Sequence, residues 1–139
     1  MPLPTKLTLE VVTPEGLLLR EEVDHVQAPG SEGYFGVLPG HTPFLTTLGM
    51  GVITYRKDGV DRRLTCFWGF CEVLPDRVNI LAEIGERAEA IDAQRAEQAK
   101  QRAAERLKTI RDEAGYNEAH EAYVRAVTRL AVARGQRPA

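Results

Sequence analysis

Few side chains in this sequence could take part in nucleophilic or metal chemistry. The 139 residues include two cysteines, Cys66 and Cys71, and three histidines, His25, His41 and His120. A cysteine nucleophile needs a base beside it, and a zinc site needs closely spaced ligands. The histidines are isolated, and the apolar surroundings of the cysteines predict thiols with raised pKa values. The sequence also lacks a G-x-x-x-x-G-K-[ST] phosphate loop. We therefore expect no active site and no metal.

The second source of chemistry is a set of cationic side chains in the last third of the chain. A basic stretch, offset only by Glu105, comprises Lys100, Arg102, Arg106, Lys108 and Arg111. Such a stretch is typical either of a solvated helix face that complements the helix dipole or of contact with an acidic partner. Further on, Arg125 and Arg129 are four residues apart and share one face of a helix. Their guanidinium groups suit either phosphate oxygens or neighbouring carboxylates.

Charge divides the sequence into two parts. Residues 1–85 carry 7 Lys and Arg against 11 Asp and Glu, a net charge of −4, whereas residues 86–139 carry 11 against 9, a net charge of +2. The total of −2 argues against a general nucleic-acid-binding protein. The N-terminus lacks the basic start and apolar core of a signal peptide, so we expect a soluble, intracellular protein.

The first 85 residues have the pattern of a β-domain. Leu7, Leu9 and Val11 alternate with polar residues, which predicts a half-buried strand from residue 6 to 13. A turn at residues 14–16 leads to a second strand. A third is predicted at residues 23–28, with Val23 and Val26 on opposite faces.

Two hairpins follow in the same part of the chain. Residues 51–56 and 60–67 flank Asp58-Gly59, which is a strong hairpin signal, and residues 69–74 and 77–82 flank Pro75-Asp76. Many short strands at turn-rich intervals predict a β-sandwich or a flattened barrel over residues 1–85.

Between these strands lies a glycine-rich corner, residues 30–51, with six glycines and two prolines. Its apolar pieces, residues 35–38 and 43–45, are each long enough only for a short strand. The pattern predicts a compact loop built for shape, which serves either as a structural turn or as a contact surface. His41 lies in this loop and could simply hydrogen-bond the turn.

The remaining residues, 86–139, change to a helical period. Residues 87–111 contain no Gly or Pro, and an apolar stripe comprises Ile91, Ala96, Ala99, Ala103, Leu107 and Ile110. Gly115 fits a C-cap and Asn117 an N-cap. A second stripe comprises Ala119, Ala122, Ala126, Leu130 and Ala133, and residues 134–138 end that helix. The short connection predicts an antiparallel helical hairpin.

Alanine dominates both helical stripes. Because stabilisation is about 25 cal/mol per Å² of buried apolar surface, an alanine seam docks two helices much less firmly than a leucine seam. Helix propensity stays high, since Ala, Arg, Gln, Glu and Lys prevail. The sequence therefore predicts helices that persist individually but dock weakly, as in a hairpin that can open.

Three segments form distinctive motifs: the corner reads GSEGYFGVLPGHTPFLT, a later strand reads WGFCEV, and the first helix begins with IDAQRA. These motifs, in this order, resemble the epsilon subunit of bacterial F-type ATP synthases. The sequence departs from the family at Trp68, where glycine is usual, and at Cys71, where an aliphatic residue is usual. The first departure puts close backbone packing at Trp68 in question.

The resemblance implies a non-catalytic central-stalk subunit on the cytoplasmic side of the bacterial plasma membrane, attached only through its complex. Its sandwich would bind the gamma subunit and the ring of c subunits, with Glu32, Tyr34 and His41 on the contact loop. The aromatic residues at 67, 68 and 70 would either face gamma or belong to the sandwich core.

The resemblance also assigns the hairpin a regulatory role. An extended hairpin would reach the alpha and beta subunits and inhibit ATP hydrolysis, with Arg102, Arg106 and Lys108 against an acidic segment of beta. No cofactor is required, but in some bacterial members the folded hairpin binds ATP. The positions corresponding to that site are Glu86, Ile91, Asp92, Arg95, Ala96, Arg125 and Arg129. Alternatively, these residues form salt bridges, with Asp92 capping the helix.

A different class of protein also fits the residues. The chain could be a free-standing β-sandwich ligand-binding module with a helical dimerisation tail, which would not co-purify with a gamma subunit.

Overall fold

A computed structural model describes residues 3–135 of the chain. The chain divides into two compact units, the first ending at Glu86 and the second beginning at Arg87. The first is built from strands and the second from helices.

Seven strands make up the first unit. They are β1 (Leu7–Thr13), β2 (Gly16–Val23), β3 (His25–Gly30), β4 (Gly33–Val37), β5 (Phe44–Lys57), β6 (Val60–Leu74) and β7 (Arg77–Arg87). They form one hydrogen-bonded sheet in the order β2-β1-β7-β6-β5-β3-β4. β1 pairs with β7 in parallel, and it pairs with β2 antiparallel.

This sheet folds over on itself to form a sandwich. Leu7 and Leu9 of β1 share one core cluster with Val26 of β3 and Val37 of β4, although these strands lie towards opposite ends of the strand order. Their side chains can meet only if the two halves of the sheet face each other. The predicted β-sandwich is therefore confirmed. The predicted inward face of β1 is also confirmed, because Leu7, Leu9 and Val11 are fully buried.

The β5–β6 hairpin also forms as predicted. Lys57 pairs with Val60 across a two-residue loop. Asp58 and Gly59 both have positive φ, 52° and 77°. Positive φ at both central residues is the requirement of the type I′ turn that matches the twist of a hairpin.

Two of the predicted strand boundaries are wrong. Residues 43–45 are not a separate short piece, since Phe44 begins the 14-residue strand β5. Residues 60–67 and 69–74 are not two strands, because they join in β6, whose register with β5 is unbroken from Phe44↔Val73 to Lys57↔Val60. The break in alternation at residue 68, which suggests a strand end in the sequence, is a local kink within one strand.

The kink lies at Trp68 and Gly69, which have φ values of 66° and 149°. It changes which residues face the core. Before it, Leu64 and Cys66 point inward, and after it Cys71 and Val73 do. Strict alternation would place the second pair on the opposite face. The kink thus keeps both halves of β6 facing one core.

The prediction of a single strand at residues 23–28 is also wrong. The chain bends at Asp24, whose backbone N–H donates to the carbonyl oxygen of Arg56 at 2.8 Å. The bend ends β2 at Val23 and starts β3 at His25. Val23 and Val26 are both buried in the same core as a result, not on opposite faces.

The second unit is an antiparallel helical hairpin, as predicted. It consists of a short 3-10 turn (Ala88–Ala90), α1 (Ala93–Thr109) and α2 (Glu113–Ala133). α1 begins within the IDAQRA motif, as the resemblance implies, and Asp92 caps it by accepting from the N–H of Arg95 at 3.0 Å.

The predicted caps between the helices are wrong. Asp112, not Asn117, caps α2, since its Oδ2 accepts from the N–H of Gly115 at 2.8 Å. Gly115 lies inside the first turn of α2 and does not end α1, whose C-cap is Ile110. At the other end, α2 stops at Ala133 and Gly135 has a φ of 67°. Residues 136–138 of the predicted terminus lie outside the described residues.

The alanine stripes hold the hairpin. The buried positions among the predicted stripe residues are Ala96, Ala103, Ala119, Ala126 and Leu130. Thr128 and Val132 are buried as well, which the stripe does not predict. Four of the five buried stripe residues are alanines, so the docked seam has the small apolar area that the sequence predicts.

The close approach at Gly69 generates the first prediction. A Cβ built at Gly69 would lie 2.0 Å from the carbonyl oxygen of Leu81, whereas one built at Gly59 would meet nothing within 4 Å. Both glycines have positive φ. We expect Gly69→Ala to lower the unfolding free energy by at least about 3 kcal/mol, and Gly59→Ala by about 1–2 kcal/mol from backbone strain alone.

Urea unfolding followed by the fluorescence of Trp68, the single tryptophan, measures both variants on the unit that contains them. Equal losses for the two variants would show that the collision at Leu81 is relieved and that the kink tolerates a side chain.

Candidate functional site

The basic stretch lies on an exposed part of α1. Arg102, Arg106 and Lys108 are all exposed. Lys108 lies 3.3 Å from Glu105 in the same helix. Within residues 3–135, Arg102 and Arg106 have no ion pair. Two arginines four residues apart on one helix face, with no carboxylate partner in the described chain, form a surface suited to an acidic partner.

The IDAQRA motif lies at the start of α1. Asp92 is the N-cap of α1, because its carboxylate accepts from the backbone N–H of Arg95. Of the two roles considered for Asp92, helix cap and nucleotide ligand, the structure therefore contains the first. Arg95 itself is exposed, Ile91 is half-buried, and Ala96 is buried in the hairpin. The motif thus begins the helix and supplies one cation at its first turn.

The opposing arginines lie towards the end of α2. Arg125 Nη1 is 3.8 Å from Glu121 Oε2 in the same helix, and Arg129 is half-buried. Arg134 Nη2, just beyond α2, lies 3.5 Å from Glu97 Oε2 in α1. This contact places the first turns of α1 beside the last turns of α2, so Arg95 and Arg129 belong to the same end of the hairpin.

Glu86 belongs to the sandwich unit. Its Oε1 accepts a hydrogen bond from Thr65 Oγ1 at 2.9 Å, between the neighbouring strands β7 and β6. This contact gives Glu86 a structural role within the sheet.

The predicted contact loop places its residues around the start of β5. Glu32 is exposed in the turn between β3 and β4, and the neighbouring Ser31 N–H donates to Thr47 of β5 at 3.0 Å. The ring of His41 lies 6.4 Å from that of Phe44. The turn and the histidine are therefore both close to the first residues of β5.

Tyr34 and His41 are each tied to the backbone. The hydroxyl of Tyr34 accepts from the N–H of Val52 at 3.0 Å, and burial of this end of the side chain raises the pKa of Tyr34. His41 Nδ1 lies 2.6 Å from the carbonyl oxygen of Thr42, which requires the proton on Nδ1. The turn-bonding role considered for His41 is therefore present, and Tyr34 has a structural anchor as well.

The sequence-based prediction missed the apolar residues of this loop. Leu38, Phe44 and Leu45 are 64%, 42% and 72% exposed, and the Phe44 ring packs edge-on against Phe35 with centroids 5.4 Å apart. Their signal in the sequence is the pair of prolines at 39 and 43, which interrupt strand pairing on either side of the loop.

The three aromatic residues of β6 separate into two environments. Phe67 is fully buried, whereas Trp68 and Phe70 are exposed. Trp68 and Phe70 line an open apolar groove of about 530 Å³ together with Val12, Leu48 and Leu81. Of the predicted gamma-facing set, only Trp68 and Phe70 are available for contact in this structure. Trp68 occupies its position with a positive φ, a conformation that favours glycine.

The two thiols lie in the apolar core. Cys66 and Cys71 are fully buried, and burial raises the pKa of both to about 12. A thiol that stays protonated is neither a nucleophile nor a metal ligand. Across residues 3–135, no group of His, Cys, Asp and Glu is arranged to hold a metal ion. In the same residues, neither helix combines the length and apolarity needed to cross a membrane.

These features together indicate a class of protein. Within residues 3–135, the β-sandwich presents an apolar groove and exposed apolar residues in a loop, and the weakly docked hairpin presents a basic surface. Surfaces of this kind are typical of a subunit that binds other proteins.

Comparison with known proteins gives the family. Residues 6–88 match the model of the ATP synthase delta/epsilon chain β-sandwich domain, and residues 89–134 match that of its long α-helix domain. The chain belongs to the ATP synthase delta/epsilon chain family. The epsilon chain of Nitratidesulfovibrio vulgaris is 47% identical over 126 residues, 91% of this chain and 94% of that one. The epsilon chain of Geotalea uraniireducens is 47% identical over 129 residues, 92% and 94% of the two chains.

Two solved structures share the fold. A chain of the Euglena gracilis mitochondrial ATP synthase, in a structure of OSCP, F1 and c-ring, has a TM-score of 0.80 at 22% identity, covering 92% of this chain and 81% of that chain. A chain from the central stalk and c-ring of Tetrahymena thermophila has a TM-score of 0.61 at 17% identity, covering 94% and 99%. At these identities the likeness shows the fold alone.

Family membership confirms the resemblance to epsilon subunits and the prediction of a non-catalytic subunit. It favours the epsilon-subunit hypothesis over the free-standing ligand-binding module.

The raised thiol pKa values generate the second prediction. At pH 8 a thiol with a pKa of about 12 is almost entirely protonated, whereas an unfolded thiol with a pKa near 8.5 is about a quarter thiolate. We expect iodoacetamide to alkylate native Cys66 and Cys71 at least about 1,000-fold more slowly than in urea. Mass spectrometry follows both sites, and Thr42→Cys supplies an exposed thiol as control. Native alkylation as fast as that of the control would contradict the buried placement.

Proposed function

We propose that this chain acts in the central stalk of a bacterial rotary ATP synthase. Its sandwich couples the c ring and the gamma subunit to the catalytic head, and its hairpin inhibits ATP hydrolysis by contact with the alpha and beta subunits. The observation that carries the proposal is the match of both units, in order, to the two domains of the family. The complex holds the chain on the cytoplasmic side of the plasma membrane, without a membrane contact of its own.

The sandwich supplies two surfaces for the rotor. The loop of Glu32, Tyr34 and His41 meets the c ring, and the exposed Leu38 and Leu45 beside it add apolar contact. The groove between Trp68 and Phe70 serves the gamma subunit, since aromatic residues are enriched in protein interfaces. Backbone contacts at Tyr34 and His41 hold the loop in shape before it meets a partner.

The hairpin supplies the inhibitory contact. Arg102 and Arg106, which have no ion pair within the described chain, and Lys108 face an acidic segment of the beta subunit. The alanine seam makes the closed hairpin only slightly favoured, so α2 can leave α1 without a large loss of buried apolar area.

A charge-removal experiment on a reconstituted catalytic head tests the inhibitory function. In a head reconstituted from the alpha, beta and gamma subunits of the same synthase, we expect Arg102→Ala, Arg106→Ala and Lys108→Ala together to relieve inhibition of hydrolysis. The relief should shrink as salt rises, because the Debye length falls from about 8 Å at 0.15 M to about 3 Å at 1 M.

The matched control removes three exposed arginines from the sandwich, Arg20, Arg62 and Arg77, and so makes the same change in net charge. Equal effects of the two triple variants, or unchanged inhibition at low salt, would mean that Arg102, Arg106 and Lys108 form only a solvated helix face.

ATP is the proposed regulatory ligand of the closed hairpin. Arg95, Arg125 and Arg129 supply guanidinium groups near one end of the hairpin from both helices, and forks of this kind suit polyphosphate oxygens. Opening would separate the two helices, so binding and closure are linked. Asp92 caps α1 in this structure, so its contribution is to hold the helix start that carries Arg95.

Calorimetry on the isolated chain tests the ligand. We expect ATP or MgATP to bind, and Arg125→Ala and Arg129→Ala each to weaken binding by about 10-fold or more, since a charge-assisted hydrogen bond contributes about 1.5–3 kcal/mol. Arg111→Ala, in the connection between the helices, is the control. No heat and no thermal shift at millimolar ATP would mean that these arginines serve as salt-bridge partners only.

A further inference from the structure

The closed hairpin carries ion pairs of two kinds. Lys108–Glu105 lies within α1 and Arg125–Glu121 within α2, so both persist whether the helices are docked or apart. The pair between Glu97 and Arg134 is different, because it joins α1 to the residue that follows α2. It exists only when the two helices lie side by side.

The position of this ion pair makes it sensitive to any separation of α1 from α2. The hairpin is closed covalently at one end by residues 110–112, and Glu97 and Arg134 meet near the other end. Separation of the helices moves the open end furthest, so a contact there is broken by any opening of the hairpin. Between the two ends, the buried seam is mostly alanine and offers little resistance.

The local environment also keeps both charges in place. Arg134 is the C-cap of α2, and its backbone N–H donates to the carbonyl oxygen of Leu130 at 2.9 Å. A cation at this end complements the dipole of α2 whether or not the helices are docked. Glu97 lies in the second turn of α1, beyond the first-turn positions where the dipole acts. The pairing of the two charges therefore depends on the docked helices and not on either helix alone.

We propose that Glu97 and Arg134 form an electrostatic latch that holds the hairpin closed. The side chains are 35% and 49% exposed, so the latch is weak and salt-sensitive. A weak latch is effective here because the seam it reinforces is itself weak. The role of opening rests on the proposed function, but the latch is a property of the chain alone and is measured without partners.

The test measures opening through a thiol placed in the seam. In full-length Ala103→Cys, a buried seam position, the alkylation rate follows the population of open hairpin even when that population is small. We expect Glu97→Gln and Arg134→Gln in this background each to raise the rate about 1.4- to 5-fold at low salt, the range of an exposed ion pair. The double variant should match either single variant, because both remove the same contact.

Two controls sharpen the result. Glu105→Gln removes an exposed carboxylate whose pair lies within α1, and it should leave the rate unchanged. Ala126→Cys, at a second buried seam position, should give the same ratios, which excludes an effect of the probe itself. High salt should reduce the difference between Glu97→Gln and the parent.

Unchanged rates in both single variants, or single effects that multiply in the double variant, would overturn the latch. Hydrolysis by the reconstituted head is measured separately on the same variants without the probe. A rise in alkylation with unaltered inhibition would leave the latch standing and count against the inhibitory role of the hairpin. Unchanged alkylation with normal inhibition would remove the latch alone.

Discussion

The sandwich depends on one backbone feature, the kink at Trp68 and Gly69. Side chains alternate between the two faces of a strand, so Leu64 and Cys66, at even positions, and Cys71 and Val73, at odd positions, can face one core only if the phase changes between them. The positive φ values at the kink change that phase between Cys66 and Cys71. The same turn of the backbone directs Trp68 outward to the groove. The core and the groove of the sandwich thus have a common cause.

The two units differ in how firmly they are packed, because their buried side chains differ in size. The sandwich core contains Leu, Ile, Val and Tyr side chains from all seven strands. The buried seam of the hairpin contains four alanines and one leucine among its stripe residues. A unit that transmits torque needs rigidity, whereas a unit that changes position needs two states of similar free energy. The proposed division between rotor binding and regulation follows this division of packing.

Much of the fold follows from local pattern. The alternation of β1, the Asp58-Gly59 turn and the two helices each depend on neighbouring residues, and each is confirmed, although the helical stripes predict only part of the buried seam. The wrong predictions lie where the local structure depends on a partner residue that the local sequence pattern does not reveal. In the sequence Trp68-Gly69 looks like a strand end, but pairing with β5 continues on both sides of it. Gly115 looks like a helix C-cap, but its N–H donates to Asp112 in the first turn of α2. The candidate site shows the same limit, since Arg134–Glu97 and Tyr34–Val52 join residues 37 and 18 positions apart that no short motif links.

The alanine seam also sets the size of signal to which the hairpin can respond. A ligand that binds only the closed form stabilises it by RT ln(1 + [L]/Kd), about 2.7 kcal/mol at a hundredfold excess over Kd. If the four buried alanines were leucines, three added carbons at each would contribute about 2.4 kcal/mol per position, or about 10 kcal/mol in all. Neither a bound nucleotide nor a single exposed ion pair could then alter the balance appreciably. Small side chains in the seam are therefore what allows weak interactions, such as a latch or a phosphate contact, to govern the position of α2.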